Sequence, residues 1–345
     1  MVRNDLMTPL LAVIALVLSV AALREASAVF APLALAIFII ALVWPLQAAL
    51  ETRLPKFVAL LMTMAATIFV CLAFSWLVAW GFGRVIRALA ADTARLQAVY
   101  DSVVVWLEAR GISVSGLFAE HFNVRFFIGT LQQVTGRLNT TLGFWVVTLV
   151  YVLLGLTEAK DASVRAGNLT SESARQVLIG GAASMAAKFR RYMIVRTQMS
   201  VMTGLLVWLF TFSIGLPFPA EWGVIAFALN YIPFLGPLVA TVFPTLVAII
   251  HFETWQAVIF VLAGLNLIQF VVGSWVEPRV SGSALSLSPT VVLFSVFFWT
   301  WVWGLFGTFI GVPITIALMS FAAEHPATRW IAAVFGGGAS RPGTA

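Results

Sequence analysis

Residues 229–244 read LNYIPFLGPLVATVFP and place Asn230, Pro233, Gly236, Pro237 and Pro244 inside a run that is otherwise apolar from 223 to 250. Proline lacks the amide hydrogen and clashes with the preceding turn, so a helix drawn through this run must break. Backbone groups freed by such a break are intolerable against lipid and survive only when buried in protein or facing a watery cavity. A second break, EPRVSGSALSLSP at 277–289, separates two more apolar runs. Both breaks are expected to be elements of a path for a polar solute.

Composition fixes the class. The chain of 345 residues is 61% hydrophobic and 10% charged, with mean hydropathy +1.01, whereas a soluble domain carries about 25% charged residues. Runs at 6–23, 26–50, 57–82, 142–156, 199–218, 223–250, 255–276 and 290–322 predict an all-α, polytopic membrane protein, with about eight spans. The 223–250 and 290–322 runs exceed one crossing, so each is a tilted helix, a kinked helix or a re-entrant hairpin. The short alternating segments of a membrane barrel are absent.

The net charge is +6, but the basic residues flank membrane segments, which argues against nucleic acid as a partner. Lys188, Arg190, Arg191 and Arg196 precede the 199–218 run, with Lys160, Arg165 and Arg175 earlier in the same loop. The positive-inside rule puts this loop in the cytoplasm, the N-terminus with it, and residues 83–141 outside. Ala26, Ser27 and Ala28 resemble a signal-peptide cleavage site, but the long apolar core and the neighbouring Arg24 and Glu25 favour a retained span. Cys71 is the single cysteine, which excludes an intramolecular disulfide.

Five segments are expected: N-terminal spans at 1–82, an amphipathic helical insertion at 83–141, a fourth span with a basic interfacial helix at 142–198, a transport core with broken helices at 199–325, and a tail at 326–345. In the insertion, Ile86, Leu89, Leu96, Tyr100, Val103 and Leu107 recur at helical spacings, and Phe127, Leu131, Val134 and Leu138 form a second apolar face. Such faces need a partner, which is each other, the membrane surface or the same segment of another subunit; an internal hairpin and subunit packing serve equally.

Polar chemistry enters the membrane in the 255–276 run. Asn266, Gln269, Gly273 and Glu277 fall at offsets of three, seven and eleven, one stripe of an ideal helix. This stripe reads as a track toward a charged mouth at Glu277, whose local partner is Arg279, followed by Ser281, Ser283, Ser286, Ser288 and Pro289. The rival reading is hydrogen-bonded glue between helices. A carboxylate beside the bilayer core is costly enough to mark a functional position. The path residues are therefore Asn230, Pro233, Gly236, Pro237, Asn266, Gln269, Glu277, Arg279, Ser286, Ser288 and Pro289. Thr63, Thr67, Cys71 and Ser75 at fourfold spacing, and Gly304, Gly307 and Gly311, read as packing or bending positions. Trp275, Trp299, Trp301 and Trp303 suggest an aromatic belt. The three histidines have no ligand spacing, so neither a metal nor a cofactor is expected. There is no phosphate-binding loop and no nucleophile with a base, so the chain is not expected to be an enzyme.

The run NYIPFLGP from Asn230, with GLPFPAEWGV from Gly215, EPRVSGSALSLSPTVV from Glu277 and GVPITIAL from Gly311, resembles the autoinducer-2 exporter family of bacterial membrane proteins. Fainter likeness includes Pro32, Pro45, Leu54, Pro55 and KFRRYMIVRTQ from Lys188, so it spans nearly the whole chain. Where the family usually has a Gly-Gln pair this chain has Thr197 and Gln198, and Thr157 and Glu158 replace an acidic-glycine turn; these departures bear on specificity, not fold. The resemblance implies an inner-membrane transporter exporting a small polar furanone, forming a homo-oligomer, a pentamer in family terms, with one path per protomer among membrane lipid. Some relatives resemble sodium or lithium ion/proton antiporters, which makes a cation the alternative substrate. A non-transporting membrane scaffold is the reading from another class.

Overall fold

The structure is a computed structural model that describes residues 2–91, 97–98, 101, 104–105, 108–111, 142–252, 254–281 and 287–336. Most of the amphipathic insertion therefore lies outside the described residues. The helices are α1 (Val2–Glu25), α2 (Ser27–Glu51), α3 (Lys56–Ala91), α4 (Leu142–Gly167), α5 (Glu172–Ser213), α6 (Pro219–Leu229), α7 (Leu235–His251), α8 (Trp255–Phe270), a π-helix (Val271–Val276), α9 (Glu277–Ser281), α10 (Pro289–Glu324) and α11 (Arg329–Phe335). Among the described residues, six helical stretches are long and apolar enough to cross a bilayer: Ser27–Glu51, Lys56–Ala91, Gly143–Gly167, Glu172–Ser213, Trp255–Val280 and Pro289–Glu324. The protein is thus all-α and polytopic. Helices α3 and α5 run unbroken through the expected segment boundaries at 82/83 and 198/199.

The chain divides into two compact units, Met1–Ile68 with Gly143–Met193 and Ser283–Ala345, and Phe69–Leu142 with Ile194–Gly282. In the first unit, α2 and α4 pack through Ala36, Val152 and Leu156, with Ile40 and Leu60 against them. Phe38 meets Phe189 of α5 at 4.8 Å between ring centroids, and Arg190 donates to the Ala41 carbonyl at 3.2 Å. Thr63 and Thr67 are buried, in keeping with a packing face.

The 290–322 run is a hairpin. Helix α10 reverses at Trp303 (φ −127°, ψ 17°) and Gly304 (φ 60°, ψ −138°), a conformation that a side chain would strain. Ser295 and Thr315 hydrogen-bond at 2.8 Å, as do Thr300 and Thr308. Along a straight helix the first pair would stand about 30 Å apart. Gly307 and Gly311 let the second arm press against Trp299 of the first. The expected tryptophan belt is corrected here: Trp299 and Trp303 are buried, and the Trp303 indole donates to the Leu23 carbonyl at 2.9 Å. The reversal draws these rings into the hairpin, and Trp301 alone of the three is exposed, under the Arg24 guanidinium at 4.5 Å.

In the second unit, the 223–250 run is also two helices. Arms α6 (11 residues) and α7 (17 residues) extend about 16 and 25 Å, each short of a hydrocarbon core of about 30 Å. They flank a break at 230–234 and share a core with α3, α5 and α8 built on Val85, Val207, Trp222, Ala240, Ala248 and Leu265. Helix α6 crosses α5 at paired glycines. A Cβ on Gly223 would lie 2.8 Å from the Trp208 Cβ and 2.9 Å from the Gly204 carbonyl. Gly223→Val is therefore expected to cost about 1–3 kcal/mol through overpacking. The thermal midpoint of the detergent-solubilised protein measures this, and an unchanged midpoint would refute such a close crossing.

At the start of α6 the Glu221 carboxylate, 5% exposed, pairs with Arg84 of α3 at 2.8 Å. Its place in the first helical turn also suits the positive end of the helix dipole.

Candidate functional site

Several polar groups of the second unit lie along α5 and at the α6–α7 break that it meets. On α5, Arg196, Ser200, Thr203 and Val207 recur at spacings of three and four and are all buried, so they share the inward face. Asn230, the first residue of the break, is 8% exposed, and its Nδ2 donates to Ser200 Oγ at 3.3 Å. Beside it the Tyr231 hydroxyl donates to Thr197 Oγ1 at 3.0 Å. The Tyr231 ring stands edge-on to Phe74 and Phe227, at 5.9 and 5.7 Å between centroids. Thr203 has a fully buried hydroxyl without a hydrogen-bond partner, a rare and costly state for a buried polar atom.

The break is held open by sequence. Pro233 is buried, and a Cβ on Gly236 would overlap the Leu229 carbonyl, so the two arms approach too closely there for any residue with a side chain. Pro237 is the third residue of α7, still within the first turn, where its missing amide costs little, and its carbonyl accepts from Thr241 Oγ1 at 2.9 Å.

Glu277 is joined to Arg196, not to Arg279. Two contacts of 3.2 Å link the guanidinium and carboxylate, and the side chains are 10% and 18% exposed. Arg279 instead stacks over Trp275 at 3.6 Å. The π-helix explains both. Its i→i+5 bonds insert extra residues per turn, which rotates Glu277 away from the face of Asn266 and Gln269 and toward α5. The expected four-residue stripe is thus divided: Asn266 is exposed and bonds back to the Leu262 carbonyl at 2.8 Å, Gln269 is half-buried, and Gly273 is exposed. Val195, Met199 and Val272, with Ile268, Val276 and Val280 against them, form an apolar cluster from the same two helical segments that carry the ion pair.

The other expected path residues fall elsewhere. Ser286 lies outside the described residues. Ser288 and Pro289 belong to the first unit, where Ser288 Oγ accepts from the Val291 amide at 3.4 Å and Pro289 opens α10. Arg196, Thr197, Ser200 and Thr203 were not among the expected path residues. Arg196 reads in sequence as one more cytoplasmic charge, but its spacing of four and seven to Ser200 and Thr203 is the signal that sets it apart from Lys188, Arg190 and Arg191. Among the described residues, no group of three or more His, Cys, Asp or Glu is placed to hold a metal.

Helices broken within apolar runs, with amide and hydroxyl side chains meeting at one break and a buried ion pair on the same helix α5, are the architecture expected of a helical membrane transporter. The chain belongs to the AI-2E transporter family, whose model matches residues 10–326. It is 29% identical over 316 residues to the AI-2 transport protein TqsA of Escherichia coli (strain K12), covering 90% of each chain. A protein of Borreliella burgdorferi is 26% identical over 306 residues, covering 88% of this chain and 83% of that one. YhhT of Escherichia coli (strain K12) is 33% identical over 140 residues, covering 41% and 40%. The protein is accordingly a multi-pass protein of the bacterial inner membrane.

Proposed function

We propose that this protein is a secondary transporter that exports a small polar solute resembling autoinducer-2, and that the α6–α7 break with the Arg196–Glu277 pair is its solute site. The observation that carries this reading is Asn230, a buried amide at a helix break, bonded to Ser200 of α5. A solute with hydroxyl and carbonyl groups finds there an amide, two serine or threonine hydroxyls and a tyrosine hydroxyl. The ion pair supplies charge-assisted bonds, which are stronger than neutral ones. TqsA, named for AI-2 transport, supports the solute class. In this reading α6 and α7 form a re-entrant hairpin, since neither arm reaches across the bilayer. Pro233, Gly236 and Pro237 keep its break from closing into a helix, while Asn266, Gln269 and Arg279 line the approach. On the sequence pattern alone, Ser286, Ser288 and Pro289 are proposed as further path residues. A homo-oligomer, as the family resemblance implies, gives the broad apolar surface of the helices partners as well as lipid.

A second reading, cation/proton antiport, is favoured by the Glu277 carboxylate, which is able to exchange a proton with a bound cation. Purified protein in liposomes separates the two. An exporter is expected to release entrapped autoinducer-2 with no change of internal pH on adding sodium, whereas an antiporter moves protons when sodium is added. With cysteine at Asn230 in a Cys71→Ala background, a small water-soluble thiol reagent is expected to label the site, and autoinducer-2 to slow the labelling at least fivefold. Labelling unaffected by the furanone would refute this site. Full activity after substitution of Glu277, combined with loss of activity on deleting residues 83–141, would favour a scaffold instead.

A further inference from the structure

Among the described residues, two other than glycine have positive φ, and both are phenylalanines that precede a helix: Phe218 (φ 64°, ψ 43°) before α6 and Phe234 (φ 64°, ψ −53°) before α7. For a bulky residue this is a genuine outlier, because Cβ crowds the following carbonyl. The two differ in what holds them. The Phe218 ring packs against the core of the second unit, so burial offsets its strain. The Phe234 side chain is 50% exposed, so burial offsets little. Its strain comes from the turn itself. The Leu235 amide donates to the Pro233 carbonyl at 2.7 Å, spanning one residue. With those dihedrals, the link is a γ-turn of the rare, strained hand.

The neighbours impose this geometry. Asn230 is tied to Ser200, Pro233 has a fixed φ, and Gly236 lies hard against the Leu229 carbonyl. Few residues remain to reverse the chain, and the distortion falls on Phe234. Glycine would adopt this conformation without steric cost. A strained conformation that its own side chain does not stabilise is poised to relax once the contacts that enforce it are released.

We propose that Phe234 is the strained latch of the hairpin tip: its γ-turn holds the tip closed over Asn230 and Ser200, and relaxation of that turn opens the tip to the solute. This rests on the proposed site insofar as Asn230 and Ser200 meet the solute, but the opening itself is testable without any solute. Because strain raises the energy of the closed state, relieving it slows opening. Ser200 is fully buried, so a cysteine there, in a Cys71→Ala background, reports opening through its rate of reaction with a small water-soluble methanethiosulfonate. Phe234→Ala removes the ring and keeps the strain, and labelling is expected within about twofold of the parent. Phe234→Gly removes both, and labelling is expected to slow roughly five- to tenfold relative to Phe234→Ala. Phe234→Asn, which tolerates positive φ better than alanine, is expected to fall between and serves if the glycine variant does not fold. Equal rates for the alanine and glycine variants, faster labelling with glycine, or a cysteine at Ser200 that never reacts would each overturn the latch. The latch and the solute site fail separately: slowed labelling without protection by autoinducer-2 keeps the latch and removes the site, and protection with equal rates does the reverse.

Discussion

Glu277→Leu is expected to destabilise the protein by about 3–5 kcal/mol, because it leaves the Arg196 guanidinium buried without its counter-charge. The double variant Arg196→Met with Glu277→Leu removes both charges, and stability is expected to return nearly to that of the wild type, since a buried ion pair contributes little over apolar residues of similar size. Transport is expected to behave differently. Glu277→Gln keeps the shape and one hydrogen-bonding oxygen while losing the charge, and efflux from liposomes is expected to fall at least tenfold. The double variant should remain as inactive although it is stable. That contrast distinguishes a functional pair from a structural one. Wild-type efflux by the stable double variant would show that Arg196 and Glu277 serve only to join α5 to α9.

The second large effect is all-or-none. Cysteines at Ser295 and Thr315, in a Cys71→Ala background, are expected to form an intramolecular disulfide almost quantitatively under mild oxidation, because the hydroxyl oxygens they replace stand 2.8 Å apart. A straight transmembrane helix would hold the same positions about 30 Å apart, beyond any disulfide. Cysteines at Ser295 and Ser320 serve as the mismatched control. Absence of the cross-link in the 295/315 pair, with free thiols demonstrated at both positions, would refute the hairpin in α10. The Gly304 reversal is the reason a single apolar run of this length folds back on itself. Its φ of 60° and ψ of −138° lie in a region that residues with a Cβ avoid.

The class of this protein was determined by composition and run length. So many apolar residues in runs of about 20 leave no folded state other than helices in a bilayer. That the 229–244 stretch breaks was equally legible, because proline acts through covalent structure and needs no partner, but the break is confined to 230–234 and Pro237 and Pro244 lie within α7. Gly236 was legible as a break residue, but its role depends on where the Leu229 carbonyl lies, and only the folded hairpin decides that. The reversal in α10 was hidden because Ser295, Thr300, Thr308 and Thr315 look like scattered small residues until the chain turns at Gly304 and brings them into two pairs.

The charged pair was the least legible. Sequence proximity favours Arg279 for Glu277, and an α-helical count puts Glu277 in line with Asn266 and Gln269. Two tertiary facts override this. The π-helix at Val271–Val276 changes the rotation of every residue after it, and α5 presents Arg196 across from the resulting face, 81 residues away in the chain. Local sequence fixes where a helix must break because the penalty for proline is carried within one turn. Which charge meets which carboxylate is settled between helices, by a rotation and an approach that no single segment encodes.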